Sequence, residues 1–193
     1  MVHSTDGLKV LGFDPSLRNW GIAAGRYFPD SKILRINNVD VIQPVLPTGK
    51  QTRQNSLDLE TAKQLAESAI AYAKLADVIF VEVPIGSQSA RAMASYGVCV
   101  GVLGAIQAMG IPFFEITPTE VKLATVGNKM ATKAEMIAWA TSHHPNATWP
   151  TRKLKGKTIV IADKAEHMAD AIGAIEAGIT CKPFTQMLAL LRA

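Results

Sequence analysis

Three strand-like runs follow one another before any helical periodicity begins, and that order constrains the fold of this chain more than any other feature. Residues 8 to 14, LKVLGFD, form the first run. NWGIAAGRYF follows after a proline-containing turn, and KILRINNVDVIQ after the turn signal PDS. Connections this short between consecutive strands predict an antiparallel meander. From Asn55 to Leu75 the spacing becomes helical, with Leu57, Leu59, Ala62, Leu65, Ala69 and Tyr72 as the apolar positions. DVIFVEV at 77 to 83 reads as a fourth strand, residues 88 to 109 as a helix rich in small residues, and PFFEI at 112 to 116 as a fifth strand. Helices are expected over 131 to 142, 163 to 178 and 184 to 192, with a polar and basic connection before the second of these. The fourth and fifth strands each arrive through a helical crossover, so both should run parallel to the first. The expectation is one α/β domain over residues 1 to 193, a mixed five-stranded sheet flanked by helices.

Within that frame the acids are informative. Asp14 ends an apolar strand, where it either faces solvent at the sheet's rim or sits beside a cation, since an unpaired buried carboxylate is costly. Glu82 is the one charged residue within VIFVEV. If strands one and four are parallel neighbours, both acids come to their C-terminal ends side by side. Two carboxylates in such proximity repel, which raises at least one pKa unless a cation neutralises them. Mg²⁺ suits such a place because it favours carboxylate oxygens and keeps waters for substrate. His167 and Asp170 are three apart on the late helix and interrupt the apolar pattern of Met168, Ala171, Ile172 and Ile175, so they project from one face. Singly, each has a plain structural explanation: a solvated strand end, an ion-pair partner, a hydrogen-bonded surface histidine, an exposed helix acid. Jointly they point to a metal-dependent site. Asp163 and Glu166 read as helix N-terminal charges favoured by the dipole, the alternative being that one of them contributes a metal ligand.

The formal net charge of +4 is mild, and its distribution says more. Lys122, Lys129 and Lys133 fall in one region, and TRKLKGK at 151 to 157 gathers Arg152, Lys153, Lys155 and Lys157. Such a run is either a solubilising surface or a contact for a polyanion. The two cysteines, Cys99 and Cys181, make neither a disulfide framework nor a thiolate metal site and suit a reducing compartment. MVHSTDGLKV lacks the apolar core of a secretory signal, and VCVGVLGAIQAMGIPFF is too short and broken to span a bilayer. A soluble, cytoplasmic protein without membrane contact is expected.

These residues carry a resemblance to the RuvC family of Holliday junction resolvases, within the ribonuclease H-like nucleases, whose order of elements is the one read above. LGFDPSLRNWG resembles the family's opening strand and turn, and FVEV its second-acid strand. PFFEITPTEVKLATVGNKMATKAEM resembles the segment with a threonine-proline turn, valine-lysine, valine-glycine and a later lysine; HMADAIGAI resembles the closing helix. The likeness runs from about residue 8 to residue 178. It implies that Asp14, Glu82, His167 and Asp170 bind two Mg²⁺ ions, with Mn²⁺ able to substitute, and that Lys122 and Lys133 serve DNA handling or catalysis. It further implies two-metal hydrolysis of branched DNA by a homodimer, since a four-way junction needs two symmetric cuts. Gly97, Gly101 and Gly104 would let the helix over 88 to 109 approach either another helix or its own sheet.

Two features depart from the family. Its members usually carry an aromatic or bulky side chain three residues after the second acid, on a loop entering the junction core; here Ile85 stands there, after Pro84. The stretch before the last long helix is longer than in compact bacterial members. Both departures imply a bacteriophage relative with an altered substrate range. Two alternatives share the opening motif: an RNA-processing nuclease of the RuvX type, and a nucleotide-binding protein of the actin and sugar-kinase fold. The latter normally needs two such domains.

Overall fold

A computed structural model describes residues 7–47, 53–86 and 88–192. The stretch Met1–Asp6, part of the amino-terminal signal reading, lies outside the described residues. The meander forms as the sequence predicts: β1 (Leu8–Asp14), β2 (Trp20–Phe28) and β3 (Ile33–Ile42) pair antiparallel in succession. Helix α1 (Gln54–Ala73) leads to β4 (Val78–Glu82), parallel to β1, and α2 (Ala90–Gln107) leads to β5 (Phe113–Ile116), parallel to β4. The sheet order is β3-β2-β1-β4-β5. Then come α3 (Pro118–Thr125), α4 (Lys133–His143), a hairpin of β6 (Thr151–Leu154) and β7 (Lys157–Val160), α5 (Ala162–Gly178) and α6 (Lys182–Arg192).

Strand alternation sorts the sheet into two faces. Leu11, Phe13, Trp20, Ile22, Ile79 and Val81 point to the side covered by α1 and α2, where Leu65, Ala69, Cys99, Leu103 and Ile106 close the core. Val10, Ala23, Val78 and Phe80 point to the other side, against α5 and the helices that pack around it. Ten residues of α5 are buried, among them Met168, Ile172 and Ile175, so this helix is the second core's centre rather than a surface element. It approaches the sheet closely because two strand positions lack side chains. A methyl at Gly12 would collide with the Ala171 carbonyl, and one at Gly21 with the His167 carbonyl.

Two elements differ from the sequence reading. α3 was not expected; it is short and buries only Val121, so it offers no periodicity. Its signal is chemical instead: Thr117 and Glu120 form a capping box with Pro118 in the first turn. The expected basic connection at 151 to 157 is a β-hairpin, with Lys155 and Gly156 both at positive φ in a two-residue turn. Lysines interrupt its strands, and that obscured the alternation.

Candidate active site

The register of β1 against β4 pairs Phe13 with Val81, so one further step sets Asp14 level with Glu82. Alternation then turns both toward the α5 side, since Gly12 and Phe80, two residues back, face that helix and its core. On the other flank Asp14 pairs with Gly21, whose missing side chain makes room for the backbone of His167. One helix face thus carries His167 and Asp170 over the strand ends. His167 Nδ1 lies 2.6 Å from Asp14 Oδ2, with both side chains only 17% exposed.

Burial and mutual repulsion dominate the electrostatics. Glu82 is pushed up to about 8, first by burial and then by the fields of Asp14 and Asp170, with Lys122 working against the rise. Asp170 is pushed up to about 7 by burial, Asp14 and Glu166, opposed by His167 and Lys122. Burial works to lower the His167 pKa, but its hydrogen bond to Asp14 and the surrounding carboxylates outweigh this and hold it above the ordinary value. Cys99, beneath the site, is pushed to about 12 by burial and by Asp14, which leaves its thiol inert.

Three carboxylates within reach of one another's fields are the donor chemistry of a hard divalent cation. Among the described residues no three His, Cys, Asp or Glu side chains already form a group that could hold an ion. The two observations concern different ranges, since charges influence one another well beyond coordination distance. The residues fit Mg²⁺ in type and charge. Coordinating it requires the acids to draw inward.

A test follows without any substrate. Between their ordinary values and 7 to 8, Glu82 and Asp170 hold protons in the folded, ion-free protein that the unfolded chain has released. Stability therefore falls as pH rises through that window. His167 slopes the same way, because a raised histidine pKa contributes stability that is lost as pH climbs through its folded value. The ion-free melting temperature should drop by roughly 5 °C or more from pH 5.5 to pH 8.5, and Mg²⁺ should restore more of it at the higher pH. A flat profile would mean that the acids are not forced together.

The remaining expected residues divide into two groups. Lys122 is half-buried on α3, and its field reaches both Glu82 and Asp170. Lys133 opens α4 and pairs with Glu166 at 3.0 Å. Both belong to the acid cluster. Arg152, Lys153, Lys155 and Lys157 lie on the exposed hairpin, and Ile85 stands 83% exposed on the loop after β4. Asp163 does occupy the first turn of α5, as the dipole reading holds. Glu166 does not fit that reading: it sits one turn further on, 3.4 Å from His167 Nε2, and bridges the histidine to Lys133. Its distance from the helix start was the available signal. The α2 glycines also resolve between two possibilities, because a side chain at Gly97, Gly101 or Gly104 would meet nothing within 4 Å. They face away from their own sheet.

No protein-family model matches the chain. It is 30% identical over 170 residues to the crossover junction endodeoxyribonuclease RuvC of Anaeromyxobacter dehalogenans, covering 84% of this chain and 78% of that protein. Among solved structures, Thermus thermophilus RuvC matches with a TM-score of 0.62 at 16% identity, covering 94% of this chain and 97% of the other. The T. thermophilus RuvC complex with a Holliday junction substrate matches at 0.60 and 15%, over 89% and 96%. The yeast mitochondrial Holliday junction resolvase Ydc2 matches at 0.57 and 14%, over 87% and 76%. Likeness at these structural identities speaks for a shared ribonuclease H-like fold.

Proposed function

The chain belongs to the RuvC family of crossover junction endodeoxyribonucleases, and on that premise we propose that it cuts Holliday junctions and other branched DNA at the Asp14–Glu82–Asp170 cluster by metal-assisted phosphodiester hydrolysis. The observation that carries this reading is the convergence of two carboxylates at adjacent parallel strand ends with a third from α5, where burial and the field of Asp14 strengthen the hold of Glu82 and Asp170 on protons. Asp14, Glu82 and Asp170 supply oxygen ligands, and His167 orients Asp14 through its Nδ1 contact. Divalent ions held by these carboxylates would supply an attacking water of lowered pKa and charge stabilisation for the departing 3′-oxygen. Lys122, beside the acids, offsets the negative charge of an incoming phosphate. Glu166 positions Lys133 at the entrance. Ile85 is exposed for use as an apolar wedge between base steps. Without a flat ring to stack on bases it reads a junction core less selectively than an aromatic.

The test is cleavage of a four-way junction, a flap, a linear duplex and a structured RNA, each with and without Mg²⁺. Ion-dependent cutting of the branched DNAs is expected, with the linear duplex spared. Cutting of the RNA alone would replace this reading with RNA processing.

The homodimer proposed for this enzyme is joined through α2. Met93 and Val100 are each 48% exposed on that helix, while Cys99, Val102, Leu103 and Ile106 fill its inner side. A helix with one apolar face inside and apolar, small residues outside needs a second partner. A second copy gives a junction two sites related by a twofold axis. Gly101→Glu should sediment as a monomer with an unchanged fold, and resolution by paired cuts should fall at least tenfold relative to single nicks. A dimer that survives this substitution would place the interface elsewhere.

A further inference from the structure

The β6–β7 hairpin does not behave like a loop that merely carries charge. Residues 151 to 158 are all exposed, so neither face of this part of the ribbon is covered by the body of the protein. Cross-strand pairing puts Arg152, Leu154, Lys157 and Ile159 on one face, and Thr151, Lys153, Thr158 and Val160 on the other. Cations therefore stand on both faces, with Lys155 at the tip. That lysine takes a left-handed conformation at φ 48, where asparagine or glycine is the more comfortable residue. The charge is kept at the tip despite a conformational cost. Leu154, 49% exposed beside it, is the one large apolar group in this basic end.

A ribbon that docks on a flat surface has one charged face and one face turned away. Cations on both faces fit a slot whose two walls are both anionic. We infer that the hairpin enters the major groove of a duplex arm, with each face against one of the two phosphate backbones that border it. The major groove is about 12 Å wide and admits a two-stranded ribbon, whereas the minor groove, at about 6 Å, must first be widened at a cost in duplex deformation. The hairpin is also well anchored for this role. Its base is closed by Ile161 N–H donating to the Pro150 carbonyl at 2.8 Å, and α5 begins at the next residue. His167 lies five residues along that helix, about 8 Å away, and the ribbon itself is about 13 Å long. A duplex held by the hairpin is thus tied to the helix that carries His167 and Asp170 of the candidate site. This inference rests on the nuclease reading and adds the surface by which the arm is gripped.

The experiment measures junction affinity against salt without divalent ions, for the native protein, Arg152→Gln/Lys157→Gln and Lys153→Gln, together with dimethyl sulfate protection of guanine N7 in the arms. Each phosphate that the protein no longer neutralises should reduce the slope of log K against log salt by about 0.9. Both variants should lower the slope, the double variant by about twice as much, and both should weaken N7 protection while their melting temperatures stay unchanged. A lowered slope in only one variant means that the ribbon lies flat and overturns the inference. So does an unchanged slope in both, or loss of adenine N3 protection in place of guanine N7. If the native protein cuts the junction with Mg²⁺ while these outcomes fail, the groove-binding inference falls and the nuclease reading stands. A native protein that neither binds nor cuts the junction ends both.

Discussion

Asp14→Asn, Glu82→Gln and Asp170→Asn should each reduce Mg²⁺-dependent junction cleavage by about a thousandfold or more while junction affinity stays within a few-fold of native. The loss corresponds to about 4 kcal/mol of transition-state stabilisation, the scale on which a removed electrostatic group at a reacting centre is felt. Affinity is spared because it comes from Lys and Arg neutralising phosphates rather than from the acids. Neutralising Glu82 or Asp170 also relieves repulsion, so Glu82→Gln and Asp170→Asn should melt at or above the native temperature in ion-free buffer at pH 8, whereas Asp14→Asn also weakens the bond to His167 and should gain less. Lost cleavage with retained binding and retained folding is the signature of ion ligands. His167→Ala should lose less, because its contact is with Asp14 and an imidazole is a weaker ligand for a hard ion. Substantial cleavage by any of the three carboxamide variants would remove that residue from the site.

The second large effect falls on residues that carry no chemistry. Gly12→Ala and Gly21→Ala each drive a methyl into the backbone of α5, at the carbonyls of Ala171 and His167 respectively. Neither obstacle is a flexible side chain, so the helix must shift away from the sheet. Each substitution should destabilise the protein by about 3 kcal/mol, the upper part of the range for overpacking a core. With an unfolding entropy typical of a chain this long, the melting temperature should fall by roughly 6–12 °C. Gly21 has the more telling outcome, since it sits opposite Asp14 and under His167. At temperatures where Gly21→Ala is still folded, cleavage should already be lost, because α5 no longer brings Asp170 to the strand ends. Full activity in a stable Gly21→Ala protein would show that the helix has slack the close approach denies.

Much of this was legible in the sequence because it is written in periodicity. The order of three strands and two crossovers predicted a mixed sheet with β4 parallel to β1; their adjacency, which brings Asp14 level with Glu82, was a condition of the sequence reading that the structure meets. The pair on α5 was legible for the same kind of reason, a three-residue spacing that interrupts an apolar stripe. What was missed depends on local chemistry or on tertiary contact. The short α3 announces itself only by its capping box, and the hairpin by a Lys-Gly turn rather than by alternation. Glu166 became part of the cluster because α4 delivers Lys133 to it, a meeting between residues 33 apart that no local pattern encodes. The outward set of the α2 glycines likewise follows from how the helix rolls onto α1 and the sheet, which leaves Cys99 and Ile106 inward.

The proposed divalent-ion site of Asp14, Glu82 and Asp170, with His167, holds protons when it is free of ions. Calorimetric titration of the ion-free protein with Mg²⁺ at pH 7, repeated in two buffers of different ionisation enthalpy, measures ion binding and proton release together. Binding should be accompanied by release of protons, since an ion at the cluster displaces those that Glu82 and Asp170 retain when raised to about 8 and 7. Glu82→Gln should weaken the binding and reduce the release. Mg²⁺ binding with no proton release, or binding equally tight in Glu82→Gln, would place the ion away from these acids and contradict the account.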